Sequence, residues 1–219
     1  MNAVTWAGGC PAPGGNLLDD LLDVLARDGL DDEGWRRLFE QRAAVDPTGL
    51  LPEQADLLAY TQLNLHRTQR LERTWRPSPE LAAAVAAITV PQAWLVISEP
   101  WCGDSAQCLP CLMVAARANP NLRLRVLARD DHPAVMDRFL TRGTRSIPIL
   151  VALDAAGAEI FRWGPRPAAA QAVVDAARSE DLDKKAMQER LHLFYGRDRG
   201  QALDAELTAL LRALPRSAP

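Results

Sequence analysis

No stretch of this 219-residue sequence is apolar for long enough to cross a membrane. The longest runs, around Leu81 to Ile88 and Ala93 to Ile97, fall far short of the roughly 20 residues a spanning helix needs. The opening MNAVTWAGGCPAPGG has neither a basic segment nor an apolar one, so no signal peptide is expected, and its glycine and proline predict a disordered lead-in. No window concentrates lysine or arginine, and Lys+Arg 25 against Asp+Glu 28 gives a net charge of −3, which argues against nucleic acid as a partner. Cysteine is scarce. Of four, three crowd at positions 102, 108 and 111, unlike the dispersed framework of a disulfide-stapled secreted domain, so a reducing, cytoplasmic setting is expected. His66, His132 and His192 are scattered without pairing spacing, which leaves a Cys/His nucleophilic dyad unsupported.

What is present is a 48% hydrophobic chain that can bury a full core. Leu17, Leu18, Leu21, Leu22 and Leu25, then Trp35, Leu38 and Phe39, recur at helical spacing and predict two helices broken at Gly29. Pro52 to Arg73 predicts a third, and Ser78 with Pro79 can cap a short helix running to Ile88. Alternation then begins: strand at Ala93–Ser98, helix at Asp104–Ala118, strand at Leu122–Ala128, helix at Pro133–Arg142. Strands at Ile149–Leu153 and Glu159–Trp163 joined by a hairpin-type turn follow, then a helix at Pro167–Arg178. The tail from Asp183 to Leu214 predicts two more helices, interrupted at Gly196 and Gly200. The order is a βαβ half followed by a ββα half, an α/β fold with a mixed central sheet. The expected division is a lead-in with helical extension (1–77), the α/β domain (78–180) and a C-terminal helical extension (181–219).

Cys102 stands directly after a strand and opens a helix, where the helix dipole and free N–H groups can stabilise thiolate and draw its pKa down from about 8.5 towards roughly 4 to 7. Cys10, alone in the lead-in, reads as an incidental thiol. The Trp101-Cys102-Gly103 turn, Pro110 eight residues after the cysteine and the Arg145-Ser146-Ile147-Pro148 segment resemble the thioredoxin superfamily over roughly residues 90 to 180. Glu99 to Asp104, Gly143 to Pro148 and Trp163 to Pro167 look most like bacterial thioredoxin-like proteins whose turn often lacks the second cysteine. The resemblance implies the thioredoxin fold, a cis-proline at Pro148 facing the cysteine, and pairing of the residue before it, Ile147, with a bound chain or glutathione.

Two departures limit what is carried over. Val96 stands where thioredoxins have a buried aspartate, and Ser105 replaces the resolving cysteine. Serine cannot attack a mixed disulfide, so ordinary dithiol turnover is not expected. Cys108 lies six residues along the helix, roughly 9 Å at 1.5 Å per residue, beyond the ~7 Å a disulfide tolerates. Cys108 and Cys111 are read as small apolar packing, with a regulatory disulfide or metal ligation as alternatives; a structural zinc site would need a second ligand pair.

The candidate site is therefore Cys102 and Ser105, with Trp101, Gly103, Asp104, Arg145, Ile147 and Pro148 around the bound partner. Arg142 and Arg145 either hold a carboxylate or are solvated. Asp104 helps the helix start but opposes a neighbouring thiolate, a net effect the sequence does not sign. Trp101 shields the sulfur or simply packs; Glu99 is a strand-end surface carboxylate or a proton acceptor; Trp163 to Pro167 is a rigid turn. The leading expectation is a monothiol redox protein acting on protein thiols and disulfides or on glutathione, with no bound cofactor and no metal. The alternative is a binding module of the same fold that holds a partner at the turn and proline groove without turnover. Peroxide reduction lacks the Thr-Xaa-Xaa-Cys setting it would need.

Overall fold

The computed structural model describes residues 19–214. Cys10, the lead-in and Leu17 and Leu18 lie outside the described residues. Four strands form one mixed sheet in the order β2-β1-β3-β4. The central strand, β1 (Gln92–Ser98), is buried along its whole length and runs parallel to β2 (Leu122–Ala128) and antiparallel to β3 (Ile149–Leu153). Such two-sided burial is why its sequence is a continuous apolar run rather than an alternating one. β4 (Glu159–Trp163) pairs antiparallel with β3, with a register shift at Ala152/Leu153.

Before the sheet come α1 (Asp19–Asp28), α2 (Asp32–Ala43), α3 (Pro52–Thr74) and α4 (Pro79–Ala86). Leu30, between α1 and α2, exchanges two backbone hydrogen bonds with Val126 and so occupies pairing groups on the edge strand β2. Ser78 caps α4 by accepting from Leu81 N, and is itself held by Asp204, which accepts from Ser78 N and Oγ. α5 (Gly103–Arg117) follows β1, and α6 (Pro133–Met136) follows β2. After β4 come α7 (Ala168–Ser179), α8 (Lys184–Asp198) and α9 (Gln201–Ala213).

Alternate residues of β1 feed two cores. Trp94 and Val96 join α3, α4, α5 and α9 on one face; Trp94 meets Phe161 edge-on at 5.9 Å between ring centres. Ala93, Leu95 and Ile97 join Leu21 and Leu25 of α1 with Val135, Met136 and Phe139 on the other. This is the thioredoxin-type α/β fold with added helices.

Two expected boundaries change. The helix expected over Pro133–Arg142 stops at Met136, because the chain tightens into i→i−3 bonds at Arg138 and Phe139 and then reverses through a Thr141–Thr144 turn. Arg142 (φ 50°) and Gly143 (φ 76°) take left-handed conformations there, which a helix cannot absorb. Gly196 does not interrupt the tail: α8 runs through it to Asp198, and the break comes at Arg199 (φ 55°) and Gly200 (φ 85°). A single glycine weakens a helix by only about 1 kcal/mol, less than the packing of α8 on α7 and the core restores.

Candidate functional site

Cys102 is the N-cap residue of α5, with its backbone extended at φ −78°, ψ 120°. Its Sγ donates to the carbonyl of Ile147 at 3.3 Å. The Ile147–Pro148 peptide bond is cis, as is Gly164–Pro165. The turn and the proline loop are thus in direct contact through the sulfur.

The environment of that sulfur differs from the exposed, acidic thiol expected from its helix position. Only 8% of Cys102 is exposed, and its neighbours in the apolar cluster include Leu21, Ile97 and Ile147. Burial pushes the Cys102 thiol up to about 11, and the Asp104 carboxylate adds to the rise. Hydrogen bonding from Ser105 and the backbone N–H groups of Ser105 and Asp104 pulls the other way, but burial prevails. The helix N-terminus therefore acts on this thiol and is outweighed. Ser105 is itself 3% exposed, with a hydroxyl that lacks a hydrogen-bond partner of ordinary geometry.

Asp104 resolves the question the sequence left open. Its Oδ2 accepts from Arg166 Nε (3.0 Å) and Nη2 (2.6 Å), and its Oδ1 accepts from Tyr195 Oη at 2.5 Å. Burial works against the Arg166 charge, yet the hydrogen bond and charge of Asp104 outweigh it and lift the Arg166 pKa. Burial foremost, with the nearby Cys108 and Asp104, keeps the Tyr195 phenol protonated. Asp104 is thus a buried charge held by a guanidinium fork and a phenol, and it disfavours thiolate at Cys102.

Helices α3 and α8 close over the turn. Asn64 donates to the carbonyl of Pro100 at 3.1 Å. The His192 ring lies against Gly103, where an added Cβ would sit 3.2 Å from its Cε1. Burial, followed by the charge of Arg67, lowers the His192 pKa, and its Nδ1 is buried without a partner. Trp101 is half-buried beneath the Arg129 guanidinium, 4.7 Å from the ring centre.

Arg145 is engaged elsewhere, in a two-pronged exposed pair with Asp137 at 2.7 Å on each oxygen. Glu99 is not a surface carboxylate: it is 2% exposed, burial raises its pKa, and its Oε1 accepts from Asp130 N. Val96 is fully buried among apolar side chains, with no proton carrier in its place. Cys108 and Cys111 are each 1% exposed in the opposite core, where burial foremost pushes both thiols up, and they form no disulfide. Among the described residues no group of three or more His, Cys, Asp or Glu side chains could hold a metal ion. Sequence reasoning missed Tyr195 and His192, and took Arg166 for part of a turn. Only Arg166 had a legible signal, since a cation inside the rigid Trp163–Pro167 segment is an odd choice for plain structure.

A cysteine capping the first helix after a central β-strand, in contact with a cis-proline loop, defines a thioredoxin-fold protein with a single cysteine in its turn. The sequence matches the family model described as Thioredoxin over residues 51–178, and the chain belongs to that family. No curated protein matches it. Among solved structures, the crystal structure of an HIV epitope-scaffold of the 4E10 series is similar with a TM-score of 0.53 and 22% identity, over 90% of this chain and 98% of that one. A protein of unknown function from Pseudomonas aeruginosa gives a TM-score of 0.47 and 22% identity, over 84% and 98%. Likeness at that identity concerns the fold alone. No helix among the described residues is long and apolar enough to cross a membrane.

Proposed function

We propose that this chain is a monothiol member of its family that uses Cys102 in thiol–disulfide exchange with protein disulfides or a glutathione-type disulfide. The observation that carries the reading is the 3.3 Å approach of Cys102 Sγ to the Ile147 carbonyl, which sets the nucleophile directly against the residue before Pro148. The Cys102 thiolate attacks one sulfur of a disulfide, the Cys102–S bond to it forms, the substrate S–S bond breaks, and the departing thiolate takes a proton from solvent. Ser105 offers no sulfur to reverse the step, so an external thiol attacks the mixed disulfide and returns Cys102 as thiolate. In this reading Trp101, Gly103, Asp104, Ile147 and Pro148 flank the bound partner, as the family resemblance implies, while Arg145, held by Asp137, would have to leave that pair to join them. Glutathione enters as a co-substrate, not a bound cofactor. A reducing cytoplasm and the resemblance to bacterial proteins with a Glu-Pro-Trp-Cys-Gly-Asp turn suit this reading.

A second reading has its own observation. With a thiol near 11, on the order of one Cys102 in ten thousand is thiolate at neutral pH, which suits a module that holds a partner without turnover.

The pH profile of iodoacetamide alkylation, read by mass spectrometry, tests the site. Cys102 should be labelled before Cys108 and Cys111, at a rate that climbs about tenfold per pH unit from 8 to 10, as the thiolate fraction does below a pKa near 11. In Asp104→Asn the profile should move to lower pH, because the carboxylate that opposes the thiolate is gone and the Arg166 cation is freed beside it. First labelling at Cys108 or Cys111 would sink the assignment, and an unmoved profile would sink the role given to Asp104.

A further inference from the structure

Away from the cysteine turn, a cavity of about 780 Å³ opens between the end of α3 and the turn that joins α8 to α9. Its lining brings together Arg70 of α3, Arg76 just after that helix and Arg199 of the α8–α9 turn. Cations from two distant parts of the chain thus gather in one place, in a protein of net charge −3. The carboxylate in the lining, Asp204, is committed: it accepts from Ser78 N at 2.8 Å and from Ser78 Oγ at 2.5 Å. Arg76 has a structural use, since its Nη1 donates to the Trp75 carbonyl at the end of α3. Arg70 and Arg199 have no such use, with neither an ion pair nor a side-chain hydrogen bond to any described residue. Arg70 also stands one helical turn from Arg67, whose pKa it lowers after burial has done so, and like charges at that spacing disfavour a helix.

Trp75 supplies a second, independent observation. It caps the C-terminus of α3, lines the same cavity and is 7% exposed. A Cβ on Gly200 would stand 2.7 Å from its Nε1, so the indole N–H edge faces the α8–α9 turn. A buried tryptophan ordinarily gives its N–H a hydrogen-bond partner. This one has no partner among the described residues, and its nitrogen is not among the buried polar atoms sealed from solvent. Two guanidinium groups and an indole N–H therefore donate to nothing, while the one carboxylate beside them is taken. The volume is that of a small-molecule site.

We propose that this cavity binds a small phosphorylated molecule, whose phosphoryl oxygens accept from the guanidinium groups of Arg70 and Arg199 and from the indole N–H of Trp75. A phosphoryl group offers three outer oxygens and up to two charges to these donors, and guanidinium forks match it in charge-assisted pairs. A carboxylate offers two oxygens and one charge. The site is separate from Cys102 and stands whether or not that thiol exchanges with disulfides.

Calorimetric titration of the native protein with inorganic pyrophosphate at low ionic strength, repeated with citrate and with a short single-stranded oligonucleotide, tests the proposal. One pyrophosphate should bind per chain, and Arg70→Gln/Arg199→Asn should weaken it at least about tenfold. Asparagine tolerates the left-handed backbone of position 199, at φ 55°. Trp75→Phe keeps an aromatic ring but loses the N–H, and should weaken binding about fivefold, the scale of one lost hydrogen bond. Where Trp75→Phe does not fold, the arginine pair, whose side chains are exposed, decides alone. No saturable binding, binding undiminished by the arginine substitutions, citrate bound as tightly as pyrophosphate, or the oligonucleotide bound more tightly would each overturn the proposal.

Discussion

Replacing Gly164 with alanine is expected to destabilise the protein by about 2–5 kcal/mol and to lower its midpoint of thermal unfolding by roughly 5–15 °C. Gly164 has φ +123°, a conformation L side chains rarely adopt, so alanine is strained there before any contact is considered. The contact is worse. A Cβ would stand 2.2 Å from the carbonyl oxygen of Pro148 and 3.3 Å from the Cα of Ile149, and both are backbone that cannot rotate away. Relief requires the Trp163–Pro167 segment to part from the proline loop, which would carry Arg166 off Asp104 and Ile147 off Cys102. Urea unfolding measures the loss, and alkylation of Cys102 should become faster as the sulfur loses its cover. Gly196→Ala is the matched control: it lies inside α8 with nothing within 4 Å of the added carbon, so no loss is expected and a gain of about 0.5–1 kcal/mol is. A Gly164→Ala protein as stable as wild type would show that the two loops are not in register as described.

The second large effect is a gain of activity. Ser105→Cys should form a disulfide with Cys102 under mild oxidation and raise insulin reduction under dithiothreitol at least about tenfold. The two residues stand three apart in the first turn of α5, within the separation a disulfide accepts. The hydroxyl that is lost has no partner of ordinary geometry and acts only on Cys102 itself, so its removal strands no other group. A variant that forms the disulfide yet reduces no insulin would place the obstacle in the cover that α3 and α8 lay over the turn. A variant that forms no disulfide would contradict the geometry of the turn itself.

Most of the fold was legible because its signals are local. β2 falls at its expected bounds and β1 within a residue, since an apolar run at Ala93–Ser98 and an alternating one at Leu122–Ala128 suit few other structures. The helix at Pro133 was expected but its early end at Met136 was not, because apolar spacing over Pro133–Arg142 carries no mark of the left-handed turn at Arg142. The turn and the proline loop were legible as motifs; the state of the sulfur was not. That state depends on how deeply Cys102 is buried and on Asp104, whose partners Arg166 and Tyr195 lie 62 and 91 positions along the chain. Helix-dipole reasoning, which is local, pointed to a lowered pKa, and the non-local burial overrode it. His192 was set aside for want of a spaced partner, yet α8 lays it on Gly103, a neighbour no spacing rule could propose.

The central claim is that Cys102 exchanges with disulfides and holds the product for want of a resolving thiol. Intact-protein mass spectrometry after incubation of the native protein with oxidised glutathione at about pH 8.5, followed by peptide mapping, tests it most directly. Peptide mapping should place a glutathione adduct on Cys102, separate from any on Cys10, that persists for hours after the disulfide is removed, vanishes on adding external thiol, and is missing at that position in Cys102→Ser. No adduct on native protein, or an adduct at Cys108 or Cys111 in its place, would contradict the account.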